Sequence, residues 1–290
     1  MSGMHKVNII GGGLSGCVLA SRLKDCVIYE RGEIGGLCYE TPYYQFYPHI
    51  FHTDNETVLE WVLKYTTIRP YTHFVSSYAQ GKYILFPPEE TDQKVFDERI
   101  ANYSFKMWKS TPPSGALERI QSARGMYFKS KYQGILDMNT LFRNLTKDIE
   151  IKKADVRDGD LEGKIILTGA IDEYFNYRYG RLSYRGLKAT HLQSETRLAT
   201  PAVNFPDLDL PFIRMTDYAQ LGFEGNWIGI EFPSSEEKHY PVNTLESAKL
   251  YKKYERLAKK KGILLCGRLA TFKYLNMDEC IKQALELEVK

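Results

Sequence analysis

The chain has 290 residues, of which 43% are hydrophobic and 26% charged, and its formal net charge is +3. That is enough for two cores of ordinary globular composition, and with charge so nearly balanced nothing points to nucleic acid as the main partner. No apolar run approaches the roughly 20 residues of a membrane span, and a first strand at residue 7 leaves no room for a signal peptide. The five cysteines, Cys17, Cys26, Cys38, Cys266 and Cys280, are odd in number and form no CxxC. Neither a disulfide framework nor a zinc site is expected, and a reducing, cytoplasmic setting fits.

In chain order, Val7 to Ile10 reads as a buried parallel strand that runs into Gly11-x-Gly13-x-x-Gly16. A helical pattern follows over Leu14 to Leu23. A second apolar run from Cys26 ends at Glu30, 19 residues after Gly11. Strand, glycine turn, helix, strand and acid in this register form a dinucleotide-binding fingerprint. Gly11 serves the tight turn, Gly13 the approach of a pyrophosphate and Gly16 close packing of helix on strand. The helix N-terminus offers N–H groups to phosphate, and Glu30 is placed for a ribose diol. Ser15 and Arg31 are expected to join them as cofactor contacts. Gly35-Gly36, five residues past Glu30, resembles the second glycine pair of the FAD-binding group that includes amine oxidases, so FAD is the expected dinucleotide.

Residues 43–53 are rich in aromatics. His49 and His52 lie three apart with no evident third ligand, so no metal is expected. Thr53 or Asp54 is expected to cap a helix through Tyr65, with Glu56 as box partner. Residues 69–88 read as an antiparallel unit turning at Gln80-Gly81. Residues 89–125 read as polar and mostly helical, broken by STPPSGA. A helix within 132–150 precedes short strands at 149–156 and 164–170. Tyrosine-rich strands and loops fill 174–232. Asn243 is expected to cap a helix with Glu246 three residues on, and Gly262 to stop it. A buried strand, Ile263 to Cys266, leads to a last helix capped by Asn276 with Glu279 as partner. The simplest architecture is α/β: a discontinuous Rossmann-like FAD-binding domain (1–68, 133–170 and 243–290), an inserted small helical and mobile-loop segment (89–131) and an antiparallel sheet domain (69–88 and 171–242).

Five further segments carry a resemblance: PHIFHT (48–53), KYQGI (131–135), TGAIDEYFNYRYGRLSYRGL (168–187), YPVN (240–243) and CGRLATFKYLNMD (266–278). With the fingerprint they resemble, in the same order, the UDP-galactopyranose mutases. The resemblance implies an isomerase that interconverts UDP-galactopyranose and UDP-galactofuranose, a furanose donor for glycan biosynthesis. Reduced flavin N5 would act as nucleophile on the anomeric carbon with UDP as leaving group, so FAD must be reduced and a cellular reductant is implied. Arg119 in ALERIQSAR and Arg214 in PFIRMTD align with the arginines that grip the diphosphate, a task suited to a planar fork of fixed charge. Tyr103 and Trp108 keep the spacing of a pair at the uridine and sugar. Tyr132, Tyr240 and Tyr274 would line the substrate, with Arg185, Asn204 and Asn276 near its sugar end. His52 would lie over the flavin ring. Arg268 and Met277 would wrap the flavin, and the N-terminus of the last helix would point at the carbonyl that gains charge on reduction.

Three departures stand out. The chain is shorter than the usual bacterial enzyme, with the deletion between Phe86 and Tyr103, where the family carries most of a helical domain that makes its dimer. A monomer, or a dimer built differently, is therefore expected. Asn276 replaces an aspartate and His239 a tyrosine. These changes leave open a mutase for another nucleotide sugar, UDP-arabinopyranose or dTDP-fucopyranose. A flavin oxidoreductase or an inactive nucleotide-sugar binder are the other readings.

Overall fold

Residues 6–40, 42–79, 81–86, 101–107 and 127–289 are described by a computed structural model of the chain. Five short strands, all but the exposed edge strand Glu150–Lys153 largely apolar, pair in parallel in the order Leu264–Leu265, Ile165–Leu167, Val7–Ile10, Cys26–Glu30, Glu150–Lys153. Parallel strands of this kind need cover on both faces. On one side the helices Leu14–Leu23, Met138–Leu145 and Met277–Glu286 supply it, burying Cys17, Val18, Leu19, Leu141, Leu145 and Ile281 with Ile9, Ile28 and Ile166. On the other side the helices Ile171–Tyr174 and Leu245–Lys260 bury Tyr174, Tyr254 and Ala258 against Ile10 and Leu167. Val7–Ile10 is the central strand, and the chain leaves it toward one edge and later returns to its other side. In open α/β sheets, the crevice beyond the carboxyl ends at such a switch point is where ligands bind.

Seven strands make a second, mostly antiparallel sheet: Tyr240–Pro241, Tyr184–Gln193, Trp227–Ser234, Arg214–Asp217, Ala202–Asn204, Val75–Ala79 and Lys82–Phe86. Within it, Ala202–Asn204 and Val75–Ala79 run parallel. A third sheet orders Ile50–Thr53, Tyr132–Leu136 and Ile68–Pro70, all antiparallel. The fold class is therefore α/β, a discontinuous Rossmann-like parallel sheet joined to an antiparallel sheet with an inserted helix.

Local expectations are corrected in three places. The unit expected over 69–88 is split: Val75–Ala79 and Lys82–Phe86 form the hairpin, while Ile68–Pro70 crosses to Tyr132–Leu136. The helix Glu56–Leu63 is capped by Asn55, whose side chain accepts from Val58 N at 3.1 Å. Thr53 lies two residues further out, accepting from Asn55 N at 3.0 Å. The helix Leu245–Lys260 is capped by Thr244 rather than Asn243, because Thr244 has the extended backbone and its Oγ1 accepts from Ser247 N at 3.1 Å. Asn276 does cap the last helix, its N–H donating to Glu279 at 2.7 Å.

Candidate active site

The fingerprint glycines act as the spacing predicts. Gly11 has φ +108°, and a Cβ there would fall 2.4 Å from Thr168 Oγ1. A Cβ on Gly16 would fall 2.0 Å from the carbonyl oxygen of Gly11, so helix and turn pack at a distance only glycine permits. At Gly13 nothing lies within 4 Å of the Cβ position. Gly13 also begins the helix Leu14–Leu23, whose first turn has no side-chain cap and no acid. The result is an open cradle of N–H groups beneath a positive helix end. The carboxylate of Glu30 is fixed at the cradle's edge, accepting from Gly12 N and Gly32 N at 2.6 Å each. Gly35 N donates to Gly12 O at 2.9 Å, which lays the second glycine pair against the first turn.

A cavity of about 730 Å³ opens here, within the size range of cofactor and ligand sites. Gly11, Gly13, Ser15, Glu30, Arg31, Gly35, Gly36, Arg268 and Met277 all line it. Gly16 does not, because it is spent on packing. Arg31 braces the rim by donating to Glu173 at 2.7 Å, and Lys238 pairs with the buried Asp172 at 2.9 Å. His49 and His239 also line the cavity. Burial lowers His49 to about 4, and burial with the nearby Arg268 charge lowers His239 to about 3, so both rings are neutral near pH 7.

Arg268 closes the far wall. Its guanidinium donates to the carbonyls of Leu275 and His239, and lies 4.8 Å from the ring centre of Tyr240 and 5.5 Å from that of Tyr274. Those two rings stack at 5.6 Å and 18°, with Tyr47 a further 5.6 Å from Tyr240. Among the described residues no carboxylate pairs with Arg268; its charge meets carbonyls and ring faces.

A second basic centre lies on the antiparallel sheet. Asn204, Arg214 and Glu231 stand directly opposite one another on three adjacent strands. Arg214 Nε donates to Asn204 Oδ1 at 3.3 Å and lies 3.5 Å from Glu231 Oε2. Arg214 Nη2 donates to Tyr103 Oη at 3.1 Å. Burial raises the Glu231 carboxyl above its ordinary range, and Arg214 opposes that shift. One apolar cluster joins the two centres: Tyr47, Met107, Leu187 and Ile213, with Tyr103, Tyr240 and Tyr274 packed against it.

A sequence model of the family described as UDP-galactopyranose mutase matches residues 98–274. A dTDP-fucopyranose mutase of Escherichia coli is 30% identical, with 98% of this chain and 97% of the relative covered. The chain belongs to the UDP-galactopyranose mutase family. A UDP-galactopyranose mutase of Mycoplasma pneumoniae is 26% identical over 96% of this chain and 94% of its own. A solved structure of reduced UDP-galactopyranose mutase shares the fold at a TM-score of 0.68 and 15% identity, covering 97% of this chain and 92% of that one. The alignment to the E. coli relative runs over 366 positions, so that mutase carries segments this shorter chain lacks. The glycine cradle, the Glu30 carboxylate and the cavity beyond them fit the FAD-binding fold of these mutases.

Of the other expected site residues, Arg185, Tyr132, His52 and Asn276 do not line the cavity. Arg185 is buried, and its guanidinium is engaged by Lys106 O, Met107 O and Ser235 Oγ instead of facing the cavity. The Tyr132 hydroxyl donates to Glu56 at 3.2 Å, beneath the Lys131 ammonium. His52 stacks on Phe128 at 4.0 Å, its Nδ1 3.1 Å from Ser130 Oγ. Asn276 stands at the start of the last helix, beside Met277 at the cavity. Arg119 and Trp108 lie outside the described residues. Sequence reading missed Tyr47, His49 as a cavity residue, and Glu231. The signal for Glu231 was present: a lone acid inside the otherwise uncharged strand Trp227–Ser234.

Among the described residues, no helix is long and apolar enough to cross a membrane, and no group of three or more His, Cys, Asp or Glu could hold a metal ion.

Proposed function

We propose that the protein interconverts the pyranose and furanose forms of a nucleotide sugar, with dTDP-fucopyranose ahead of UDP-galactopyranose as its substrate. The sequence reading puts the galactose substrate first. Similarity supports the reverse order, since the fucopyranose mutase is 30% identical and the Mycoplasma galactopyranose mutase 26%. The observation that carries the reading is the Arg214 centre. It is a buried guanidinium held by Asn204, Glu231 and Tyr103, joined through one apolar cluster to the stacked Tyr240–Tyr274 pair beside Arg268, which lines the cofactor cavity.

In this reading the cavity would hold FAD, with Gly13 and Ser15 receiving its pyrophosphate, Glu30 a ribose, and Arg268 and Met277 its ring end. When bound and reduced, FAD would supply the nucleophile toward the anomeric carbon, with the nucleoside diphosphate as leaving group. The protein's part is placement and charge. Arg214, assisted by Arg119, holds the departing diphosphate and keeps it for return. Glu231 and Asn204 fix the Arg214 fork before substrate arrives, which removes its reorganisation from the barrier. Tyr240 and Tyr274 give the sugar a flat wall and exclude water. Burial raises the Tyr240 hydroxyl well above its usual pKa, so it stays a neutral donor.

The test is anaerobic incubation of the flavin-loaded protein with dTDP-fucofuranose, UDP-galactofuranose and UDP-arabinofuranose, each with and without dithionite, followed by separation of products. Conversion to the pyranose only after reduction supports the reading, and the fastest sugar names the substrate. Flavin that binds and reduces without turnover of any of the three would refute it.

A further inference from the structure

Arg185 is 5% exposed, and three partners share its guanidinium. Nε donates to Met107 O at 2.8 Å, Nη2 to Lys106 O at 3.1 Å and Nη1 to Ser235 Oγ at 2.9 Å. Lys106 and Met107 both lie in the helical residues 101–107. Carbonyl oxygens have two lone pairs, so both can accept from a side chain in addition to any bond along the helix. A planar guanidinium meets two of them at once, which an ammonium does not do.

The main chain of the same residue is tied in the opposite direction. Arg185 pairs with Tyr240 across the sheet, and its carbonyl accepts from His239 N at 3.1 Å. Arg185 therefore joins the strand that carries Tyr240 to the helix that carries Tyr103. On that helix Met107 sits four residues from Tyr103, hence on the same face, and is buried with Tyr47, Leu187 and Ile213. Lys106 fastens the helix a second time, donating to Phe205 O at 2.8 Å and Asp207 O at 2.7 Å, just past Asn204.

We propose that Arg185 is a positioning residue that clamps helix 101–107 so that the Tyr103–Arg214 pair faces the Tyr240–Tyr274 wall, and that it governs nucleotide-sugar binding through contacts made only to protein. The proposal rests on the mutase reading and assigns Arg185 a task different from direct contact with the sugar.

Arg185→Lys keeps the charge and loses the fork. In the flavin-loaded enzyme it should leave flavin content and absorption as in wild type, raise KM about tenfold and lower kcat by less than about threefold. In a Tyr103→Phe background the same change should raise KM by less than about threefold, because the pair it positions is already broken. Penalties that multiply in the double variant would mean that Arg185 touches substrate itself, and an unchanged KM would mean that it does nothing for binding; either overturns the proposal. Should Arg185→Lys fail to hold flavin, Ser235→Ala removes one of the three bonds and should raise KM about threefold, again only while Tyr103 is present. Amide exchange in 101–107 separates this idea from the mutase reading. Exchange faster by about tenfold in Arg185→Lys is expected whatever the substrate, and unchanged protection overturns the clamp. A wild type that turns over no nucleotide sugar refutes the mutase reading instead.

Discussion

At the cofactor end of the molecule, Gly11, Gly13, Gly16 and Glu30 all belong to one strand–turn–helix–strand unit. At the arginine–tyrosine face, Tyr103, Asn204, Arg214, Glu231 and Tyr240 come from five separate segments and meet only because the sheet registers bring them together. The first site is made of backbone and tolerates almost no added volume: a Cβ on Gly16 would fall 2.0 Å from a carbonyl oxygen. The second is made of side chains, each fixed by another side chain. Backbone sites should therefore fail by losing their ligand, and side-chain sites by keeping the cofactor and losing turnover.

The largest expected effect lies on the side-chain face. Arg214→Ala should leave flavin bound and cut turnover by about 2–5 kcal/mol of transition-state stabilisation, part of it from stranding the buried Glu231 carboxylate. Steady-state kinetics on reduced enzyme would check this, with flavin content measured alongside. Normal turnover would show that the diphosphate is held elsewhere. At the backbone site, Gly16→Ala should cost about 1–3 kcal/mol through overpacking and release flavin into the filtrate. Retention of flavin by that variant at wild-type affinity would break the distinction between the two regions.

That contrast also governs what the sequence could reveal. The cradle was legible because its geometry is set by residues within 20 positions of one another, and each glycine has a local steric reason. Helix existence was legible as well, but its starts were off by one or two residues. Thr53, Asp54 and Asn243 have the right side chains, but Asn55 and Thr244 stand at the position from which an oxygen reaches the third amide of the helix. The Asn204–Arg214–Glu231 row was not legible, since a strand's pattern does not say which strand lies beside it or in which register. Arg185 shows the same limit: its motif placed it near the substrate, but the partners of its guanidinium are carbonyls nearly 80 residues earlier in the chain. Resemblance to the family identified the residues, and only the fold showed which of them hold one another.

His239 gives the smallest and most specific test, because it sits where the two regions meet. Its ring is neutral in the folded protein, lowered to about 3, mainly by burial and then by the Arg268 charge. An unfolded chain takes up a proton on this residue as pH falls below about 6.5, while the folded chain does not, so the unfolded state binds more protons and stability drops across that window. Glu40, raised to about 7 chiefly by burial, acts with the opposite sign over part of the same range, so the wild-type slope alone is a poor probe. The comparison of His239→Gln with wild type isolates the histidine. Between pH 7 and pH 5 the difference in unfolding free energy should move by about 2 kcal/mol in favour of the variant, read from urea midpoints at each pH. A difference that stays constant would mean that His239 carries its proton in the folded state. The charge of Arg268 would then have to be offset from the cavity side, and the two regions would be coupled by electrostatics as well as by packing.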